Sequence, residues 1–249
     1  MLKSNQEVIN KRILYAQAVF GEEEKQAVVR SMDNKWLASG PLVKKFEAKV
    51  AKLFGKKYGI AVNSGSSANL LAIQSLNLPK GAEVITPACT FSTTVSSIVH
   101  NNLIPVFIDS VIGRYTIDED LIEKAITKKT KVIMVPQLVG GVCDMPRLRK
   151  IADKYSLILI DDSCDTFAPY FNSKTAASYS DLTTTSFYGS HIITALGFGG
   201  MILTDLEKQR DKMFTLRDWG RVGNDKEAFE KRFNRRNSEE QRAWRLFRA

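Results

Sequence analysis

Apolar residues recur along this chain with two different spacings. Windows in which they lie three or four positions apart predict amphipathic helices, and short apolar runs between turn residues predict strands. The predicted helices cover residues 21–34, 41–54, 91–101, 118–126, 145–155 and 205–218, and a further helix begins within 63–74. The predicted strands cover residues 58–62, 82–86, 104–108, 131–135, 157–160 and 201–203, and one more strand ends near residue 186.

Strands and helices therefore alternate over most of the chain. Repeated strand–helix units favour a mostly parallel sheet with helices packed on its faces. The predicted strand at 157–160 is apolar at every position, as expected for a strand that is buried on both faces. We therefore predict an α/β fold with three layers, α/β/α, around a mostly parallel sheet.

Polar side chains are concentrated where predicted strands end. Four clusters, at residues 63–67, 87–94, 161–165 and 186–191, all follow a strand. In open α/β sheets the ligand crevice lies beyond the carboxyl ends of the strands. The free N–H groups of a helix that begins at 63–67 would also form an anion site. The sequence thus predicts one composite site built from the four clusters.

Each cluster also has a purely structural explanation. A serine in the turn at 63–67 is explained by helix capping alone, and the acids at 161–165 by solvation of a loop. Phe91 is explained by core packing. His100, in a predicted helix, is interpreted as a surface residue, whereas His191 lies in a loop rich in Ser, Gly and Thr and is a candidate for chemistry.

Charge and composition narrow the class of partner. The formal net charge is +9, but residues 226–249 carry eight basic and four acidic side chains, so +4 of it lies there. The rest is spread over helix faces of mixed sign, and we predict no nucleic acid partner. We find no apolar run of roughly 20 residues, as a membrane span needs, and no secretory signal. The three cysteines, Cys89, Cys143 and Cys164, are widely separated, so we predict a cytoplasmic protein with no metal site.

Six segments occur in a fixed order along the chain. They are Gly40-Pro-Leu-Val-Lys-Lys-Phe-Glu47, Ser64-Gly-Ser-Ser-Ala-Asn69, Pro87-Ala-Cys-Thr-Phe-Ser-Thr-Thr94, Pro105-Val-Phe-Ile-Asp109, Asp161-Asp-Ser-Cys-Asp165 and Ser186-Phe-Tyr-Gly-Ser-His191. Together they resemble the DegT/DnrJ/EryC1/StrS family of sugar aminotransferases. These are vitamin B6 enzymes with the aspartate aminotransferase fold (fold type I). The resemblance implies that fold, a pyridoxal 5′-phosphate or pyridoxamine 5′-phosphate cofactor, and a nucleotide-sugar substrate.

The resemblance also implies roles for individual residues. In the family, the positions of Gly65, Ser66, Ser67 and Ser186 hold the cofactor phosphate, and the position of Phe91 stacks on the pyridine ring. The position of Asp162 pairs with the ring nitrogen and keeps it protonated, so that the ring accepts electrons. Asp165 stands where the aminotransferases usually have Gln, near the ring hydroxyl.

Residue 191 is the main departure from the aminotransferase pattern. In the aminotransferases, a lysine five residues after the serine at the position of Ser186 binds the aldehyde of pyridoxal phosphate covalently. Here the residue is His191, and no lysine lies in the loop at 187–199. The same replacement characterises the dehydratase branch of the family, which removes the C3 hydroxyl of 4-keto-6-deoxy sugar nucleotides with pyridoxamine phosphate. The resemblance therefore implies C3 dehydration with His191 as the base.

Two further departures concern subgroups of the dehydratase branch. One subgroup binds an iron–sulfur cluster through cysteines that follow an Arg-Asp-Trp-Gly-Arg segment. This chain has that segment at 217–221 but no cysteine after Cys164, so we predict no cluster. The turn at 197–200 reads Gly-Phe-Gly-Gly, and its loop has a length closer to that of the aminotransferases. A sugar aminotransferase that makes an amino sugar is therefore an alternative function.

Domain organisation is the last expectation. We predict an N-terminal arm at 1–20, a large domain at 21–225 and a divergent basic tail at 226–249, interpreted as truncated or frameshifted. Family members usually continue into a small C-terminal domain, which we expect to be missing here, and they form homodimers. A truncated, non-catalytic remnant of the family is a second alternative.

Overall fold

The computed structural model describes residues 16–35 and 39–220. The predicted tail at 226–249 and most of the predicted arm at 1–20 lie outside these residues. The helices are α1 (Glu22–Asp33), α2 (Pro41–Leu53), α3 (Gly65–Ser75), α4 (Ser92–His100), α5 (Glu119–Ala125), α6 (Met145–Lys154) and α7 (Glu207–Arg217). The strands are β1 (Tyr58–Val62), β2 (Glu83–Pro87), β3 (Ile104–Ile108), β4 (Thr130–Pro136), β5 (Ile158–Ser163), β6 (Tyr170–Phe171), β7 (Lys174–Thr175), β8 (Leu182–Ser186) and β9 (Gly200–Thr204).

Seven of these strands form one sheet in the order β1-β9-β8-β5-β4-β2-β3. Strand β9 runs antiparallel to both of its neighbours, β1 and β8. The pairs β8–β5, β5–β4, β4–β2 and β2–β3 are all parallel. The predicted mostly parallel sheet is confirmed, and the carboxyl ends of β1, β8, β5, β4 and β2 lie along one edge.

Apolar side chains on both faces of the sheet make the three layers. One cluster joins Val84, Met134 and Ile160 to the buried faces of α3, α4 and α7. The neighbouring strand residues Ile85 and Ile133 face the opposite side and pack against α5 and α6. A third cluster covers β9 with α2. Because adjacent strand residues point to opposite faces, the all-apolar strands are buried on both sides, and the predicted α/β/α layering is confirmed.

One predicted boundary needs correction, and one element was not predicted. We expected the strand that begins near 157 to end at Ile160, but β5 continues through Asp161 and Asp162 to Ser163. The acids stay inside the sheet because neighbouring amides and hydroxyls donate hydrogen bonds to them. The short hairpin β6–β7 was not predicted. None of the described helices has the length and apolar character that a membrane crossing requires.

Candidate active site

The sheet brings the four polar clusters together at one edge. The start of α3 contacts the end of β8, because a Cβ built on Gly65 would lie 2.8 Å from the Cβ of Ser186. The start of α3 also contacts α4, since the hydroxyl of Ser66 donates to that of Thr93 at 3.0 Å. Helix α4 in turn reaches β5 through Thr94, which donates to Asp162 at 2.9 Å. The predicted composite arrangement of the clusters is therefore present.

The start of α3 has backbone N–H groups that are free to bind a ligand. Ser64 is the N-cap, and its hydroxyl oxygen accepts from the N–H of Ser67 at 3.1 Å. The structural explanation for this serine is thus correct. The N–H groups of Gly65 and Ser66 belong to the first helical turn and have no acceptor within the helix. Such groups, together with the helix dipole, favour an anion.

Two glycines allow this turn to pack closely. A Cβ on Gly65 would lie 2.7 Å from the sulfur of Cys164 and 2.8 Å from the Cβ of Ser186. A Cβ on Gly200 would lie 2.2 Å from the backbone oxygen of Ser64. Neither position has room for a larger residue. The hydroxyl of Ser186, the last residue of β8, is held beside the helix start and accepts from the N–H of Tyr188 at 3.3 Å.

Asp162 is buried on the face of β5 that packs against α3 and α4. Its Oδ2 accepts from the Asn69 amide at 2.8 Å and from the Thr94 hydroxyl at 2.9 Å. Its Oδ1 has longer contacts with the N–H of Cys164 at 3.3 Å and the hydroxyl of Thr184 at 3.5 Å. These four partners are uncharged. An ionised carboxylate in such surroundings retains its charge for a cationic group such as a protonated ring nitrogen.

Phe91 and Asp165 lie at the margin of the cluster. Phe91 is the N-cap of α4, one turn before Thr94, and its ring is 64% exposed. Core packing therefore does not explain it, and its ring is open to stacking. Asp165 is exposed, and its Oδ2 accepts from the N–H of Val139 at 3.5 Å. That contact joins Asp165 to the loop after β4 and not to Asp162.

His191 lies in the loop that connects β8 to β9. Its backbone N–H donates to the carbonyl of Tyr188 at 3.0 Å, and the two rings meet edge to face at 5.7 Å. The Tyr188 ring also packs against Phe198 at 5.8 Å. The Nδ1 atom of His191 is buried, and among the described residues it has no hydrogen-bond partner. Few buried polar atoms in proteins lack a hydrogen-bond partner, and a catalytic role is one of the explanations for such an atom. His100, by contrast, is exposed at the end of α4, as predicted.

Sequence reasoning missed the polar residues that support Asp162. Asn69, Thr94 and Thr184 are buried, and the hydroxyl of Thr184 donates to the Asn69 Oδ1 at 2.6 Å. Asn69 follows Gly65 by four residues, the spacing of one helical face, and that spacing is the signal by which it could have been found.

Asp161 points to the opposite face of β5 and belongs to a different network. Its carboxylate accepts from the amide of Gln137 at 2.8 Å and from the hydroxyl of Ser163 at 3.0 Å. Burial raises the pKa of Asp161 to about 6. Gln137 follows the last residue of β4, so this network ties β5 to the loop after β4. The Gln137 Oε1 also accepts from the N–H of Cys143 at 2.8 Å. Adjacent acids in one strand thus serve separate faces of the sheet.

Comparison with known proteins defines the class. The model of the DegT/DnrJ/EryC1/StrS aminotransferase family matches residues 19–241, and the chain belongs to this family. It is 40% identical over 211 residues to the lipopolysaccharide biosynthesis protein RfbH of Salmonella typhimurium, covering 82% of this chain and 48% of that protein. It is 38% identical to the dTDP-4-dehydro-2,6-dideoxy-D-glucose 3-dehydratase of Saccharopolyspora spinosa, covering 82% of this chain and 46% of that enzyme.

Solved structures agree with this membership. The Escherichia coli GDP-4-keto-6-deoxy-D-mannose-3-dehydratase, solved with bound hydrated PLP, superposes with a TM-score of 0.82 at 31% identity. That match covers 90% of this chain and 62% of the solved chain. The fold is therefore that of the PLP-dependent sugar aminotransferases and dehydratases, as the resemblance implied. The chain spans about half the length of the curated relatives it matches.

Proposed function

We propose that this chain binds pyridoxamine 5′-phosphate and removes the C3 hydroxyl of a nucleotide-linked 4-keto-6-deoxyhexose. The observation that carries the proposal is His191, a histidine in the loop after Ser186 whose buried Nδ1 has no hydrogen-bond partner within residues 16–35 and 39–220. Two 3-dehydratases among the similar proteins support the same reaction class. Pyridoxal 5′-phosphate is the aldehyde form of the same cofactor, and the same residues would hold it.

The groups at this site fit the cofactor. The first turn of α3, with Gly65 pressed against Ser186, offers N–H groups and hydroxyls to the phosphate. Ser66 and Ser67 add hydroxyls at the same turn. Asp162 offers a buried carboxylate with uncharged partners to the ring nitrogen. Phe91 offers an open ring face for stacking. Asp165 would lie near the ring hydroxyl, although its contact in this structure is with Val139.

When bound, the cofactor would supply an amine for the C4 ketone of the sugar and a protonated ring that accepts electrons. Asp162 would pair with the ring nitrogen and keep it protonated. His191 removes a proton from the C4′ carbon of the cofactor and delivers a proton to the departing C3 hydroxyl. An imidazole both accepts and donates a proton, as the two transfers require. A lysine at this position would instead bind the aldehyde form of the cofactor covalently.

A His191→Asn variant tests this assignment, with His100→Asn as the matched control at the exposed histidine. We expect dehydration to fall by at least roughly a hundredfold in His191→Asn and to remain unchanged in His100→Asn. The substrate is a panel of GDP-, dTDP- and CDP-linked 4-keto-6-deoxyhexoses, with glutamate added to restore pyridoxamine phosphate after each turnover. Formation of the 3-deoxy sugar, which has lost one oxygen, is followed by mass spectrometry. Release of deuterium from pyridoxamine phosphate labelled at C4′ reports the proton transfer itself. Unchanged deuterium release in His191→Asn would refute the role of His191.

We also propose that the active form is a homodimer, as the family resemblance implies. Several large apolar side chains of the loop that carries His191 are exposed, namely Ile192, Leu196 and Phe198. Exposed apolar groups beside a site are typical of an interaction surface. Light scattering of the purified chain at several concentrations measures the oligomeric state, and a monomer at all concentrations would contradict the proposal.

Transfer of an amino group to a keto sugar is the alternative function, and the aminotransferase description of the family supports it. The two reactions differ in their product. Both convert pyridoxamine phosphate to the aldehyde form, which an amino donor such as glutamate has to restore, so glutamate turnover alone does not separate them. An amino sugar that retains its C3 hydroxyl would identify an aminotransferase, whereas a 3-deoxy-4-keto sugar with release of ammonia would identify a dehydratase. A non-catalytic remnant is the remaining alternative, and failure of the chain to bind either form of the cofactor would identify it.

A further inference from the structure

Asn69 is a polar residue on the buried face of α3. It lies in α3, whose buried neighbours Ala68, Ala72 and Ile73 pack in the main core cluster. Its side chain is 1% exposed. Asparagine is a poorer helix former than leucine, and a buried amide stabilises only when its hydrogen bonds are made. Core packing alone therefore favours an apolar residue at this position.

Both ends of the Asn69 amide are hydrogen-bonded, and the donors fix its orientation. Its Nδ2 donates to the Asp162 Oδ2 at 2.8 Å, and its Oδ1 accepts from the Thr184 hydroxyl at 2.6 Å. An ionised carboxylate only accepts hydrogen bonds, so the NH₂ group must face Asp162. The Thr184 hydroxyl then donates to the remaining oxygen. The amide thus links β8 to the carboxylate on β5.

This arrangement makes the two oxygens of Asp162 unequal. Oδ2 accepts two short hydrogen bonds, from Asn69 and from Thr94 at 2.9 Å, which occupy both of its lone pairs. Oδ1 has longer contacts, at 3.3 Å with Cys164 and at 3.5 Å with Thr184. Oδ1 is therefore the oxygen that retains capacity for a further donor.

We propose that Asn69 is a positioning residue that holds the Asp162 carboxylate so that Oδ1 is presented to the ring nitrogen of the cofactor. The inference rests on the proposed function, since it requires that the site binds the cofactor. An uncharged amide is suited to this role, because a lysine or arginine at the same place would neutralise the carboxylate. Asn69 itself does not contact the cofactor and acts through Asp162.

The test compares two ligands that differ at one ring atom. Pyridoxamine 5′-phosphate carries the ring nitrogen, and its 1-deaza analogue has carbon in that place. Asn69→Leu removes the amide at similar size. Ser75→Ala is the matched control, because Ser75 is a buried polar residue of the same helix whose hydroxyl donates to the Ala72 carbonyl and, among the described residues, has no contact with Asp162. Affinities of the purified chain and its variants are measured by fluorescence titration.

We expect Asn69→Leu to weaken binding of pyridoxamine phosphate by about tenfold, the effect of one hydrogen bond to a charged group. Binding of the deaza analogue should change by less than about twofold, and Ser75→Ala should leave both affinities unchanged. An equal loss for both ligands would show a merely structural role and overturn the inference. Failure of the unmodified chain to bind either ligand would overturn the proposed function and this inference together.

A second variant keeps the inference testable if Asn69→Leu does not fold. Thr184→Val removes the donor that orients the Asn69 oxygen and leaves the amide itself in place. We expect it to weaken binding of pyridoxamine phosphate selectively, by a smaller factor than Asn69→Leu. An unchanged ratio between the affinities of the two ligands in Thr184→Val would overturn the inference.

Discussion

Substitution of Gly65 by alanine tests whether the start of α3 has to lie against β8. The added Cβ would lie 2.7 Å from the Cys164 sulfur and 2.8 Å from the Ser186 Cβ. Non-bonded carbon atoms prefer about 3.5–4.0 Å, so the helix start or the end of β8 has to move by roughly 0.8 Å. Overpacking of this kind typically costs about 1–3 kcal/mol. Most of the shift should fall on the helix start, because β8 is held between β5 and β9.

The assay measures two quantities for Gly65→Ala, the free energy of unfolding in urea and the affinity for pyridoxamine phosphate. We expect the first to fall by about 1–3 kcal/mol and the second by at least about tenfold, because the N–H groups that face the phosphate are displaced. Gly189→Ala is the control, since its Cβ would make an ordinary contact at 3.5 Å; its stability should not change. The double variant Gly65→Ala/Cys164→Ala relieves the contact with the sulfur but not the contact with Ser186, so stability and affinity should recover only in part. Native affinity in Gly65→Ala would refute the assignment of this turn to the phosphate.

Two further predictions concern buried charges. Burial raises the pKa of Asp161 from 3.8 in the unfolded chain to about 6, so its contribution to stability is fully present below pH 3.8 and is lost as the pH rises through 6. As the pH rises from 4 to 7, Asp161→Asn should therefore become more stable relative to the unmodified chain by about 2 kcal/mol. Urea unfolding measures this change, and a difference that is independent of pH would contradict it. Lys56 has a buried side chain and donates to the Ser180 carbonyl at 2.6 Å and to Asp205 at 3.2 Å. Lys56→Met should lower the melting temperature and reduce the free energy of unfolding by about 1–3 kcal/mol. Lys57→Met is the control and should change neither quantity, because the Lys57 side chain is exposed and its contact with Asp205 is made by the backbone N–H.

The sequence allowed most helices and strands to be predicted because their apolar spacing is regular. The strand at 58–62 and the strand at 104–108 have the predicted bounds. The limit of β5 could not be predicted, because acids usually mark the end of a buried strand. Asp161 and Asp162 stay within β5 since each meets donors from a different layer, and those donors come from residues far away in the chain.

The position of the candidate site could be predicted from the sequence, but the buried residues that hold its side chains in place could not. Strand ends in a parallel sheet meet at one edge whatever their loops contain, so the four clusters could be placed together. Asn69 was missed because it lies on the apolar side of a helix, where the spacing predicts core packing. The burial of the His191 Nδ1, without a partner in the part of the chain that the structure describes, also could not be predicted from the sequence, because it depends on how the loop between β8 and β9 folds.

Strand β9 runs antiparallel to β8, and this direction lets the loop at 187–199 vary without affecting the sheet. Ser186 pairs with Gly200 across β8 and β9, so the intervening residues 187–199 leave and return at the same place. Both ends contact the start of α3, Ser186 at Gly65 and Gly200 at Ser64. A loop with fixed ends can change in length at small entropic cost and without moving the frame that holds it. The residue at position 191 can therefore be exchanged while the start of α3 and the end of β8 stay in place.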